Sequence, residues 1–280
     1  MADLLGALVD GVPGTTVPVT DRGFLYGDAI FEVLRSYDGS PAFFREHLDR
    51  MTAGGAALEY PEPCPVAAFA ADLRTLLADA DGDRTFRLYW TRGEGGGVGG
   101  EPERTRRVSM AFAVSRPPAV AYREGVECIL AQGSATAASG AKVANYVSNI
   151  VATRRARAAG AHEALMVDGE GRIGEGATSN VFVLAGGVLR TPPVRGILPG
   201  VTRSIVMREA RAEGIEVEES ELRSEVLEGA SEVFLTSSVR EVLPVRAVGG
   251  RPIGEPGPVT RRLAERYEAA ALADAARWAH

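Results

Sequence analysis

Thirty-one side chains of this 280-residue chain are lysine or arginine, and only Lys142 is lysine. A composition this rich in Ala, Gly and Arg replaces lysine wherever arginine serves, so the survivor points to work a guanidinium cannot do. A guanidinium stays protonated and is a poor nucleophile. An ε-amine can lose its proton, form a Schiff base with a carbonyl, or act as a general base. Chance survival on a surface is the plainer alternative, and the neighbourhood of Lys142 has to decide.

Other chemistries find less support. Cys64 and Cys128 lie far apart with no CxxC spacing and read as reduced thiols rather than a disulfide framework. His47, His162 and His280 lack metal-ligand spacing, so no metal is expected. The glycine-rich stretch 94–101, EGGGVGGE, lacks the Lys-Ser/Thr pair of a nucleotide-binding loop and reads as a mobile loop at the mouth of a site, within reach of a partner subunit. A formal charge of -6 with no basic run argues against nucleic acid. No apolar run approaches the roughly 18 residues of a membrane span, and Asp3 with no basic segment around it argues against a secretory signal. The cytoplasm is the expected compartment.

Elements that could position Lys142 follow from periodicity. Strands are expected at 29–37, 85–92 and 108–114, with a hairpin partner at 41–44 and helices at 45–58 and 65–80. After the stiff segment Ser115-Arg116-Pro117-Pro118, strands are expected at 126–131, 164–167, 180–184, 188–190, 215–217 and 232–236. Helices are expected at 145–159, from Pro199-Gly200 to about Glu213, and at 259–277. This order predicts two α/β or α+β domains: a smaller one over 1–116, a linker at 117–121, and a larger one over 122–280, with the active site between them.

Five motifs appear in order: DRGFLYGDAIFEVLRSYDG (21–39) with REHLDRM (45–51), KVANY (142–146), EGATSNVF (175–182), ILPGVTR (197–203) and EVFLTSSVREVLPV (232–245). With them the chain resembles the class IV aminotransferases, pyridoxal-phosphate enzymes of fold type IV. Branched-chain and D-amino acid aminotransferases, aminodeoxychorismate lyases and (R)-selective amine transaminases belong to that family. The resemblance covers nearly the whole chain. It implies pyridoxal 5′-phosphate as cofactor and a homodimer as the working form.

Carried over residue by residue, the resemblance makes Lys142 the lysine of the internal aldimine and the group that moves the proton between substrate and cofactor. Glu175 would pair with the pyridine nitrogen, keeping the ring protonated as an electron sink. Tyr146, four residues after Lys142 and on the same face of an expected helix, would lie beside the ring hydroxyl. Arg50, Val201, Thr202, Ser237 and Ser238 would hold the phosphate, Arg50 through its fork and residues 200–202 through the N–H groups opening a helix.

The substrate is less legible. The arginine and histidine that trap the carboxylate in D-amino acid aminotransferases match Gly97 and Gly99 here, and the arginine of the lyases is missing from the same loop. Alternation puts Arg87 and Tyr89 on one face of their strand, and Arg35 with Phe31 on one face of theirs. Arg35 and Arg87 are therefore the expected carboxylate ligands, with Tyr26, Phe31 and Tyr89 lining the pocket; an ion pair of one arginine with Glu32 or a neighbouring acidic residue is the structural alternative. The Ser179-Asn180 pair points to the D-amino acid and lyase branches. Residues 191–193 (TPP) and EVLPV point to the branched-chain enzymes. The expectation is a transaminase for D-amino acids, extending to (R)-primary amines, with 2-oxoglutarate or pyruvate as acceptor. An L-branched-chain aminotransferase, an aminodeoxychorismate lyase and a non-catalytic cofactor-binding module are the alternatives.

Overall fold

The computed structural model describes residues 3–78, 80–100, 102, 104–133 and 140–278. His280 and Glu101 lie outside these. The chain divides into two compact units. The first comprises Met1–Ser115 together with Ala141–Asn145 and Ala271–His280, and the second Arg116–Gly140 with Tyr146–Ala270. The division is discontinuous where a cut at 116–122 was expected. Residues 119–121 of the expected linker open a helix.

The first unit contains β1 (Leu4–Val9), β2 (Val12–Pro13), α1 (Arg22–Tyr26), β3 (Ala29–Tyr37), β4 (Ser40–Pro41), α2 (Phe44–Ala57), α3 (Val66–Leu77), β5 (Arg84–Thr91) and β6 (Arg106–Ala113). Its antiparallel sheet runs β2-β1-β6-β5-β3-β4. Strict alternation along β3 and β5 sends Ile30, Leu34, Phe86, Leu88 and Trp90 to one face, where they pack with Leu48 and Met51 of α2 and Phe69 and Leu73 of α3. Phe31, Val33, Arg35, Arg87 and Tyr89 take the other face, and the register pairs Phe31 with Tyr89 and Val33 with Arg87. The expected hairpin partner at 41–44 shortens to two residues, because Phe43 adopts a left-handed conformation and α2 starts at Phe44.

The second unit contains α4 (Ala119–Glu124), β7 (Val126–Gln132), α5 (Val147–Ala158), β8 (Glu163–Val167), β9 (Arg172–Gly176), β10 (Asn180–Ala185), β11 (Val188–Thr191), α6 (Val201–Ala212), β12 (Val217–Glu219), β13 (Leu222–Arg223), β14 (Ala230–Ser237), β15 (Glu241–Val248) and β16 (Arg251–Pro252). Helix α7 (Pro258–Trp278) follows, its last turns counted with the first unit. The mixed sheet runs β12-β11-β10-β14-β15-β7-β8-β9-β13, with β16 on β15. β8 and β10 are buried on both faces, which explains their unbroken apolar runs. Among the described residues, no helix is long and apolar enough to cross a membrane.

Candidate active site

Lys142 lies outside any helix. Its segment runs as an extended strip along β3: the Phe31 amide donates to the Lys142 carbonyl at 2.8 Å, the Ala144 amide donates to the Ala29 carbonyl at 2.8 Å, and Ile30 bridges Val143. The expectation that Lys142 and Tyr146 share a helical face is therefore corrected. Helix α5 begins at Val147 with Tyr146 as its cap residue, because backbone pairing with β3 holds 142–144 extended. Helix α2 makes room for this strip with a glycine. A Cβ at Gly54 would sit 2.9 Å from that of Ala141.

Against this strip lie the aromatic residues of the sheet's other face. The Lys142 Nζ stands 4.7 Å from the Phe31 ring centroid, and Phe31 stacks on Tyr89 at 5.3 Å. Phe31 is buried and Tyr89 half-buried. Arg87 is exposed, its guanidinium 5.3 Å from the Phe112 ring. Arg35 is engaged elsewhere, 3.7 Å from Asp83 and 4.5 Å from the Tyr37 ring. Tyr26 is exposed beside Arg22.

Arg50 belongs to a buried charge cluster that the sequence alone did not disclose. Glu32, fully buried, accepts from Arg50 Nε at 2.7 Å and Nη2 at 2.5 Å, and its Oε2 lies 2.7 Å from His47 Nδ1. Burial by itself would raise the Glu32 pKa. The Arg50 guanidinium and the His47 imidazole outweigh it and bring it down to about 2. Burial pushes the His47 pKa below its ordinary value despite Glu32, so the ring is neutral at pH 7 and its Nδ1–H donates to Glu32. A glutamate on the core face of a strand, with histidine and arginine three residues apart on the next helix, was the available signal. Glu32 pairs with neither Arg35 nor Arg87, because strand alternation points it to the opposite face; the structural alternative holds for Arg35 through Asp83, 3.7 Å away.

The glycine-rich loop is tethered rather than loose. The buried Arg22 guanidinium donates to the carbonyls of Gly97 at 2.8 Å and Val98 at 3.1 Å, and Glu94 accepts from Arg106 and Thr20.

In the second unit Glu175 sits on β9, which follows a turn at 168–171. Its Oε2 accepts from the Leu198 amide at 3.1 Å and from Asn180 Nδ2 at 3.2 Å. Asn180 also donates to the Leu198 carbonyl at 3.0 Å. A Cβ on Gly200 would stand 1.9 Å from Asn180 Oδ1, so this contact requires glycine. Gly200 caps α6 without a side-chain hydrogen bond. Val201 and Thr202 follow it, both buried. Thr202 Oγ1 lies 3.4 Å from the Tyr267 hydroxyl. Tyr146 donates to the Ala177 carbonyl at 3.4 Å, on the turn linking β9 to β10. Ser237 closes β14 and Ser238 follows it, both half-buried. A carboxylate fixed by two donors is an acceptor suited to a protonated heteroaromatic ring, and a buried helix start and hydroxyls at a strand end are donors suited to a phosphate.

The chain matches the family described as Amino-transferase class IV over residues 29–248. It belongs to the class IV aminotransferases. It is 31% identical to a D-alanine aminotransferase of Bacillus licheniformis over 93% of this chain and 94% of that one. Among solved structures it is similar to a branched-chain amino acid aminotransferase of Escherichia coli, with a TM-score of 0.87, 29% identity and coverage of 98% and 96%. It is also similar to a hypothetical aminotransferase from Mycobacterium tuberculosis in its PLP-bound form, with a TM-score of 0.83, 27% identity and coverage of 96% and 99%. This class IV aminotransferase has the α+β architecture of fold type IV, and its cofactor is pyridoxal 5′-phosphate.

Proposed function

We propose that the enzyme moves the amino group of a D-amino acid, and of some (R)-primary amines, to a 2-oxo acid such as 2-oxoglutarate or pyruvate. The observation that carries this reading is Ser179. Its hydroxyl donates to the buried Glu163 carboxylate at 3.3 Å, and Thr178 donates to the same oxygen at 2.8 Å. Branched-chain enzymes usually place glutamate before the asparagine of this motif. Here that residue would add a second carboxylate beside buried Glu163, whose charge Arg240 already balances, leaving the group with one negative charge in excess, whereas Ser179 adds a neutral donor. The Ser-Asn form is thus built into the surroundings of the turn.

In this reading Lys142 carries the cofactor and moves the substrate proton. Glu175 holds the ring nitrogen, Tyr146 flanks the ring, and Arg50, Val201, Thr202, Ser237 and Ser238 hold the phosphate. When bound, the cofactor supplies a carbonyl for amine exchange and a ring that accepts electrons. Phe31 lies against the Lys142 amine and Tyr89 stacks on Phe31, with Tyr26 at the pocket's edge. Of the two arginines, Arg87 is the better placed for the substrate carboxylate. It faces Val33, roughly 7 Å along the strand from Phe31, whereas Arg35 is about 13 Å away at 3.3 Å per residue and is held by Asp83. The working form is a cytoplasmic homodimer, checked by light scattering of the holoenzyme.

A second reading, an L-branched-chain aminotransferase, draws on the relatives of that name and on Phe31 against Lys142, with Tyr89 stacked on it. An absorption spectrum of the holoenzyme separates the two. Collapse of the long-wavelength cofactor band on adding D-alanine supports the D reading. A band that persists with D-alanine and collapses with L-leucine overturns it. Pyruvate released from aminodeoxychorismate without any acceptor makes the enzyme a lyase. Lys142→Ala should lack the long-wavelength band and borohydride-stable labelling.

A further inference from the structure

Two turns of the second unit are joined by an ion pair that none of the assignments above uses. Arg240, three residues after Ser237, spreads its guanidinium over both. Nε donates to Ser237 Oγ at 3.1 Å and Nη1 to Glu163 Oε2 at 2.9 Å. Nη2 donates to the Thr178 carbonyl at 2.8 Å and to Thr178 Oγ1 at 2.6 Å. Glu163 is 1% exposed and Arg240 15%. The same Glu163 carboxylate accepts from Thr178, Ser179 and the Ala164 amide. The backbone of Arg240 is held as well, its carbonyl accepting from the Tyr122 hydroxyl at 3.1 Å.

We propose that Arg240 is a positioning residue for the cofactor phosphate, acting through Ser237. A serine hydroxyl has one proton and two acceptor sites, and a guanidinium has no acceptor. Once Ser237 Oγ has accepted from Arg240, its proton cannot point back to that neighbour. The hydroxyl becomes a committed donor, with its rotor and its turn both fixed. Glu163 completes the device by neutralising Arg240 and binding the 177–179 turn, so that the strand end carrying Ser237 and the turn after Glu175 keep one spacing. A bidentate fork is needed for this, and lysine at 240 would supply charge without the second and third contacts.

The inference rests on the reading that Ser237 donates to the phosphate. The test therefore compares pyridoxal 5′-phosphate with pyridoxal, which lacks the phosphate, as ligands of the apoenzyme. Affinities are measured by fluorescence titration of the wild type, Ser237→Ala, Arg240→Gln, Arg240→Lys and the Ser237→Ala/Arg240→Gln double variant. The ³¹P shift of the bound cofactor and the melting temperature are recorded alongside. The expected result is a roughly tenfold loss of preference for the phosphorylated ligand in Ser237→Ala and Arg240→Gln, no further loss in the double variant, and an altered ³¹P shift. Arg240→Lys should recover less than half of the loss. Equal weakening of both ligands, or a melting shift without change in preference, overturns the positioning role. Preference lost in Ser237→Ala and retained in Arg240→Gln overturns it too, while leaving the phosphate reading intact. Preference retained in Ser237→Ala overturns both.

Discussion

Replacing Glu32 by Gln tests the buried cluster beneath Arg50 with little change of volume. Glu32 is fully buried, and Arg50 keeps only 10% of its side chain exposed. The substitution leaves the guanidinium without its counter-ion, a loss of roughly 3–5 kcal/mol for a broken buried pair. The carboxyl pKa gives an independent figure. Its fall from 4.5 to about 2 corresponds to roughly 3 kcal/mol at neutral pH. At about 2.1 cal/mol/K per residue, 280 residues unfold with an entropy near 0.6 kcal/mol/K. The apoenzyme of Glu32→Gln should therefore melt roughly 5–8 °C below the wild type at pH 7 in scanning calorimetry. The sign with pH follows from proton uptake. The folded-state pKa lies below the unfolded one, so the unfolded chain binds more protons in acid. The wild-type advantage is complete above about pH 4.5 and vanishes as pH falls towards about 2. His47, whose pKa is also lowered, removes stability from the wild type as pH drops below about 6.5. A gap under about 2 °C at pH 7, or one that stays open down to pH 2–3, refutes the reasoning.

Arg87→Leu should raise the KM for the amino acid about tenfold with a smaller change in kcat, and an unchanged KM removes Arg87 from the substrate site. Glu175→Gln should lower kcat by more than about a hundredfold while the cofactor stays bound; retention of kcat within about twofold removes the ring-nitrogen role. Gly200→Ala forces a Cβ to 1.9 Å from Asn180 Oδ1, so Asn180 must release Glu175 or α6 must shift. Cofactor affinity should fall at least about tenfold, and equilibrium dialysis showing wild-type affinity refutes the tight contact.

How much of this was legible beforehand varies with the range of the interactions involved. The long periodic elements, β3, α2, α3, β5, α6 and α7, were readable because each buries a face whose spacing shows in its own residues. Pieces without a periodic face of their own were not. β1, β9, β13 and β15 depend on neighbouring strands for their hydrogen bonds, and β9 is interrupted by Gly174 and Gly176. The shared helical face expected for Lys142 and Tyr146 does not form because the extended course of 142–144 comes from pairing with β3, more than 100 residues away in sequence.

The sequence by itself determined the chemistry. A solitary lysine in an arginine-rich chain pointed to covalent amine chemistry, and the ordered motifs around it carried the resemblance to the class IV aminotransferases that the family match over residues 29–248 shows. Only the tertiary structure decided which charges meet. It turned Glu32 inward to Arg50 and His47 and left Arg35 to Asp83. It also set Arg240 between Ser237 and Glu163 and seated Lys142 against Phe31. Each of these pairings joins distant or oppositely facing residues. Long-range pairing of this kind depends on strand register, hence on the packing of whole sheets, and no local pattern of residues encodes it.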